Sequence, residues 1–271
     1  MSRAGAPGFT FDESGLFYRC DALLERGLAA HAFSTRLGGV SQGAFASLNL
    51  GFHVGDRPDA VLENRRRLLS LLGTEIKSLV AAAQVHSSTV VRVGERERGR
   101  GAFTFDDALP ATDALLANEP GLGLSVYTAD CVPVILYDPV RGAVGVVHAG
   151  WRGTAAGIVG AAIDALREGF GTDPKDLVVA LGSAIGPCCY EVGPEVHEAI
   201  RERLGAEAAG GGAGLDLWKA NGVVARQNGV EPANIHACRL CTACEEELFF
   251  SYRRDGQRTG RMAAVAVVPD C

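Results

Sequence analysis

VPVILYDPVRGAVGVVHAG (132–150) decides the fold. Two apolar runs rich in β-branched residues, VPVILYD (132–138) and AVGVV (143–147), flank the turn-forming PVRG (139–142). That pattern predicts a tight antiparallel hairpin. A two-residue loop at Pro139-Val140 puts Cys131 and His148 directly opposite each other on one face. A four-residue loop moves the register but keeps both at the end away from the turn.

Those two residues carry the chemistry. Cys131 stands in YTADCVPVILYDP and His148 in VGVVHAGWRG; a third donor, His86, stands in AAAQVHSSTVV. A thiolate and two imidazoles suit zinc, and three protein ligands leave one position for water or substrate, as in catalytic zinc sites. Zinc is the expected ion and copper the second choice. His86 must arrive from another strand, which spacing alone does not place. The plainer alternative is one buried cysteine and two hydrogen-bonded core histidines. Asp130, beside Cys131, is positioned to orient an imidazole or relay a proton, or simply to cap the strand.

Further along, HAGWRGTAAG (148–157) reads as a strand end followed by a helix start. Free amides there, with Arg152 nearby, suit an anion such as phosphate, against the reading of an ordinary strand-to-helix turn. Trp151 offers a stacking face for a planar base as well as a core side chain. Arg36, in the Gly-rich STRLGG, is an anion-binding candidate or a solvated charge. YRR (252–254) and Arg261 form either a basic rim or plain surface charge. CRLCTAC (238–244) spaces Cys238, Cys241 and Cys244 as C-x-x-C-x-x-C, which seeds a metal site only with a fourth ligand from Cys188, Cys189 or His236. Otherwise these are thiols packed in the interior.

The bulk numbers bound these readings. The 271 residues are 47% hydrophobic and 21% charged, enough for one large domain or two small ones. A net charge of −6 argues against nucleic acid and anionic membranes as partners. The opening MSRAGAPGFTFDESG has no apolar core of signal-peptide length, and no later run approaches a membrane span. The expected location is therefore cytoplasmic. Eight cysteines in such a chain read as reduced thiols or metal ligands. Nothing in the apolar patterning specifies an oligomeric state.

Residues 1–7 read as frayed. HAFST (31–35) is a strand. Asp56 is a helix cap, with Pro58 in the first turn of a helix running to Gly73. Strands are expected at 79–83, 88–93, 113–117, 122–127 and 177–182, with a charged loop at 95–103. Helices are expected at 154–170, over PEVHEAIRERLG, and over LDLWKANGVVARQNG with Asp216 as cap; residues 206–214 form a flexible loop between the last two. FFSYRRDGQRTGRMAAVAVV closes the chain as strand–turn–strand. Strands outnumber helices without regular alternation, which favours an α+β layered fold over a doubly wound sheet.

Two motif-based chemistries are weakened. Cytidine-type zinc deaminases pair H-x-E with P-C-x-x-C, and no H-x-E precedes CTAC. Multicopper oxidases need many imidazoles, and the chain has six histidines and no H-x-H.

STRLGGVSQGAFASLNLGFHVGD, ENRRRL, QVH, TADCVPVILYDP, HAGWRG, IGPCCYEVG, and CT followed by LFFSYRRDGQRTGRMAAV occur in this order. From about residue 30 to 268 the chain resembles the YfiH-type (DUF152) proteins. That family has been called polyphenol oxidase or laccase domain, peptidoglycan editing factor, and purine nucleoside phosphorylase. The resemblance implies a single domain over 1–271, a layered α/β sandwich akin to cytotoxic-necrotising-factor-like cysteine hydrolases, with mixed, largely antiparallel sheets flanked by helices. It implies zinc held by His86, Cys131 and His148. Asp130 joins them as a catalytic candidate, and Arg36, Asn49 and Arg152 are the candidate contacts to substrate or phosphate. Ser87 is a departure, because Gly is common after the histidine. The implied activities are phosphorolysis of adenosine, inosine and S-methyl-5′-thioadenosine, and adenosine deamination. Removal of UDP-MurNAc carrying L-Ser is implied for some members. Two competing classes are a metal-free cysteine amide hydrolase using Cys131 and His148, and a non-catalytic zinc-stabilised binding module.

Overall fold

The computed structural model describes residues 6–270. Its strands are β1 (Phe9–Phe11), β2 (Phe17–Cys20), β3 (His31–Ser34), β4 (Leu79–Ala81), β5 (Val90–Arg92), β6 (Ala114–Ala117), β7 (Gly123–Thr128), β8 (Val132–Asp138), β9 (Ala143–Ala149), β10 (Val178–Leu181), β11 (Ile235–Ala237) and β12 (Met262–Val267). Its α-helices are α1 (Asp21–Glu25), α2 (Pro58–Leu71), α3 (Trp151–Ala155), α4 (Ile158–Phe170), α5 (Pro194–Leu204), α6 (Ala206–Ala209), α7 (Leu217–Gln227) and α8 (Tyr252–Asp255).

Two six-stranded sheets result, ordered β1-β2-β3-β12-β7-β4 and β11-β10-β8-β9-β6-β5. Pairing is antiparallel except for β4 with β7, β5 with β6, and β10 with β11. This is the expected mixed α/β sandwich of largely antiparallel sheets flanked by helices.

Side-chain alternation shows how the layers stack. In β9, Val144 and Val146 join Ile135, Val126 and Ala264 in a core shared by both sheets. Ala143, Val147 and Ala149 point the other way, onto Ile158, Ile163 and Val224 of α4 and α7. In β12, Met262, Ala264 and Ala266 face the shared core, and Ala263 and Val265 face Leu68 and Leu69 of α2. With both faces covered, the central strands are buried along their whole length and largely apolar.

Several expectations are corrected. The β8–β9 loop has four residues, Pro139–Gly142, so His148 pairs with Pro133 and Cys131 lies one step diagonal from it on the same face. The Asp138 carboxylate sets that loop by accepting from the amides of Val140 (2.8 Å) and Arg141 (3.1 Å), and Gly142 takes the left-handed φ of 61° that ends it. The helix expected at 154–170 is broken at Gly157, whose φ is 77°. Arg57, not Asp56, occupies the cap of α2; the Asp56 carboxylate instead binds Ser41 and Asn49. Within 206–214, residues 206–209 form α6 and bury Ala208 and Ala209. The first closing strand is absent: Phe249 and Phe250 are buried, and Ser251 caps α8. Of residues 1–7, Ala6 is buried and accepts from the Phe9 amide, and residues 1–5 lie outside the described residues.

The ENRRRL stretch is structural. Arg65 is buried and has no carboxylate partner among the described residues. Its guanidinium donates to the carbonyls of Leu50, Gly101 (2.6 Å) and Ala102 (2.8 Å) and lies between the rings of Phe52 and Tyr127. Removing it strands three carbonyls, each a cost of ~1–3 kcal/mol when buried. Arg65→Met is therefore expected to lower unfolding free energy by about 3 kcal/mol, measured by urea denaturation.

Candidate metal centre

His86 lies between β4 of one sheet and β5 of the other, in the segment that crosses from sheet to sheet. Cys131 immediately precedes β8, and His148 sits near the end of β9. The three donors therefore meet at one end of the inter-sheet layer, and their ligand atoms all lie within 4.8 Å of one another. Cys131 Sγ is 3.8 Å from His86 Nε2, and the two imidazole rings stand 4.8 Å apart at 70°.

The donor set fits a tetrahedral ion. Metal–sulfur and metal–nitrogen bonds of ~2.3 and ~2.0 Å imply an S···N edge of about 3.6 Å. His86 is exposed and His148 is buried, so the cluster is open on one side and anchored on the other. Gly150 is the residue that makes room. A Cβ there would lie 2.8 Å from Cys131 Sγ and 2.9 Å from His86 Cδ2.

Asp113 organises the centre, and the sequence reading passed over it. It immediately precedes β6, beside β9, and its carbonyl accepts from the His148 amide. Its fully buried carboxylate accepts from His148 Nδ1 (2.8 Å), from the amides of Val85, His86 and Ser87, and from Ser87 Oγ. His86 itself has a left-handed φ of 62°, which the Asp113 bonds hold in place. With Nδ1 committed, His148 turns Nε2 to the cluster. Ser87, the departure from Gly, adds a hydroxyl to this anchor. The only sequence signal for Asp113 was an acid at the head of the apolar run ALLA.

Electrostatics follow from the same contacts. Burial would raise the Asp113 pKa, but the bonds from His148 and Ser87 hold the carboxyl well below its usual range. Burial would also raise the Cys131 thiol, yet the adjoining His148 brings it down to about 6. Burial opposes charge on His148, but Cys131 and Asp113 together push it up to about 9. Without metal, the pair is a thiolate and an imidazolium between those values.

The other expected site residues are placed differently. Asp130 touches neither imidazole; its carboxylate accepts from Thr242 Oγ1 and the Arg253 amide, both at 2.6 Å, and steadies a left-handed φ of 92° before Cys131. The carboxylate orienting an imidazole is Asp113. Arg36 spends Nε and Nη1 on the carbonyls of Ala46 and Glu246 and rests on Phe250, bracing a loop. Asn49 is fully buried and ties Gly51, Asp56 and the Arg261 amide together, away from any open surface. Arg152 is exposed and stacks on Trp151, but α3 has only five residues and supplies little dipole. Arg261 senses the Cys131 and Asp130 charges, and Tyr190 is pushed up to about 12 by burial and by Cys131. Both therefore belong to the surroundings of the cluster.

The sandwich and its three-donor cluster describe a mixed α/β protein with a candidate metal centre. The family model described as multi-copper polyphenol oxidoreductase laccase matches residues 30–269, and the chain belongs to that family. It is 41% identical to the purine nucleoside phosphorylase YlmD of Geobacillus stearothermophilus, covering 95% of this chain and 96% of that protein. It is 38% identical to adenosine deaminase RL5 of an unknown prokaryotic organism, covering 85% and 90% respectively. The crystal structure of a Bacillus licheniformis hypothetical protein, YfiH, superposes with a TM-score of 0.90 at 37% identity, covering 96% of this chain and 98% of that one. No helix among the described residues is long and apolar enough to cross a membrane.

Two outcomes are expected. In metal-free protein, iodoacetamide alkylation of Cys131 should rise through pH about 6, because the thiolate is the nucleophile; a profile titrating near 9 contradicts the thiolate–imidazolium pair. Gly150→Ala should lower metal content at least several-fold, read by elemental analysis, with circular dichroism unchanged.

Proposed function

We propose that this chain is a cytoplasmic, zinc-dependent purine nucleoside phosphorylase acting on adenosine, inosine and S-methyl-5′-thioadenosine, with adenosine deaminase activity, working as one domain over residues 1–271. The observation that carries the reading is the Cys131–His86–His148 cluster, open on the His86 side, in a chain so similar to a purine nucleoside phosphorylase. A thiolate with two imidazoles favours zinc over harder ions, with copper second. Oxidation of polyphenols through several coppers has less support: of the six histidines, only His86 and His148 belong to a metal-donor group among the described residues.

In phosphorolysis, a phosphate oxygen bonds to the sugar C1′ as the C1′–N9 bond breaks and the purine leaves with a proton. Zinc, when bound, would supply Lewis acidity toward an oxygen or a bound water of lowered pKa. The chain's own residues do the rest. Asp113 fixes the His148 tautomer and the His86 backbone, so the donors need no rearrangement. Arg152, exposed on the Trp151 ring, is a cation available to a phosphate. Trp151 is half-buried and offers a face to a planar base.

One observation favours a second reading. Cys131, His148 and Asp113 also make a nucleophile, base and orienting acid, the constellation of a cysteine amide hydrolase such as one editing UDP-MurNAc-L-Ser. A binding module that uses zinc only for stability is the third class.

The test is phosphate-dependent release of hypoxanthine from inosine. Wild-type protein should turn over, chelation should abolish turnover, zinc should restore it, and His148→Ala should lower it at least a hundredfold. No release of hypoxanthine, together with release of L-Ser from UDP-MurNAc-L-Ser that survives chelation and is lost to alkylation of Cys131, selects the hydrolase. A fall in melting temperature on chelation, with no turnover of any nucleoside, selects the binding module.

A further inference from the structure

Four more cysteines converge at a place the reaction above does not use. Cys188 and Cys189 lie in the loop after β10, and Cys241 and Cys244 in the turn after β11. Their sulfurs all lie within 4.8 Å of one another, although the two pairs are more than fifty residues apart in sequence. Cys188 Sγ is 3.6 Å from Cys244 Sγ, and Cys189 Sγ is 3.4 Å from it. Cys238, the first cysteine of C-x-x-C-x-x-C, is not among them; it is buried beside Tyr18 in the inter-sheet core. The set expected from spacing is thus replaced by one that takes two thiols from each segment.

We propose that Cys188, Cys189, Cys241 and Cys244 form a second, tetrathiolate zinc site that clips the 186–190 loop to the 241–244 turn. Four sulfurs around one ion at ~2.3 Å stand about 3.8 Å apart, close to the separations here, whereas a disulfide needs ~2.0 Å. Four thiolates in a tetrahedron select zinc over hard cations. The backbone is arranged as in a metal-binding cysteine turn. The Gly186 amide donates to Cys241 Sγ at 3.2 Å, and the amides of Ala243 and Cys244 turn toward the same sulfur. Such N–H···S bonds stabilise a negative sulfur. Gly186 is tightly packed, with Cys188 Sγ, Cys241 Cβ and Trp218 each 3.3 Å from a Cβ built there.

The clip bears on the first centre through its neighbours. Thr242, inside the turn, holds Asp130, which precedes Cys131. Tyr190, next to Cys189, lies under the Arg253 guanidinium, and the Arg253 amide binds the other oxygen of Asp130. Fastening the two segments therefore fixes one wall of the Cys131 surroundings, whichever reaction occurs there.

The experiment is metal analysis of the full chain purified with a phosphine reductant and zinc. Wild-type protein should hold two zinc ions per chain. His148→Ala should hold one, and the triple variant Cys188→Ser, Cys189→Ser, Cys244→Ser should also hold one, retained at the first site. In cobalt-substituted protein, the intense thiolate charge-transfer absorption of a four-sulfur site should persist in His148→Ala and largely disappear in the triple variant. Cys244→Ser alone, at an exposed position, should weaken retention against a chelating dye and guards against misfolding of the triple variant. Metal content unaffected by all of these cysteine changes would overturn the site, as would a native Cys189–Cys244 disulfide found by mass analysis without reductant. Loss of the one remaining ion in His148→Ala would also overturn it. Failure of the nucleoside assay with two ions still bound would count only against the phosphorylase reading.

Discussion

The Asp113 carboxylate is the constraint on which the centre depends. One buried anion accepts from an imidazole, three consecutive amides and a hydroxyl. Those donors come from two places that strand pairing alone does not join: the crossing segment with His86, and the end of β9 with His148. A buried carboxylate is costly unless its lone pairs are filled. Here the filling is done by the elements that must be aligned. Satisfying the charge and assembling the donors are one event, which is why the segment can hold a non-glycine residue at positive φ.

The layering explains why this end of the molecule is available. The central strands are covered on both faces, so their middles are packed mostly with aliphatic side chains. Polar groups gather where the sheets end. Cys131 and His148 both lie on the inter-sheet face, diagonal across the hairpin, and Gly150 opposite Cys131 leaves the volume their ligand atoms need. Register is thus part of the chemistry, because a slip of one residue would turn His148 toward α4.

The sequence made much of this legible, and the gaps have physical causes. Strands with continuous apolar runs and the helix capped by Asp216 were readable because local signals agree with burial. The hairpin was foreseen but its register was not, since a side-chain bond from Asp138 to two amides, not the identity of Pro139-Val140, sets the loop length. The break at Gly157 inside the helix expected over 154–170 is not visible in the sequence, because a left-handed break looks the same there as a tolerated glycine. His86, Cys131 and His148 announced themselves as rare donor types beside strands. Asp113 did not, because an acid before a strand ordinarily ends at the surface, and only the tertiary pairing of β6 with β9 turns it inward. Arg36 and Asn49, candidate substrate contacts in the sequence, are used by their loops to satisfy backbone groups, a role that only tertiary contacts define.

Asp113 also bears on which chemistry Cys131 performs. An imidazole whose Nδ1 is held by a carboxylate is both a better metal ligand and a stronger base, so the second contact alone does not separate metal binding from nucleophilic catalysis. The difference lies in His86. A cysteine hydrolase needs one imidazole near its thiol, and a second would compete for the same proton. Yet the Asp113 carboxylate accepts four hydrogen bonds from residues 85–87 and one from the His148 ring, and His86 Nε2 stands 3.8 Å from the same sulfur. Two imidazoles held around one thiolate form a ligand set more readily than a nucleophile and its base. That geometry is why zinc stands ahead of a free thiolate in the proposal.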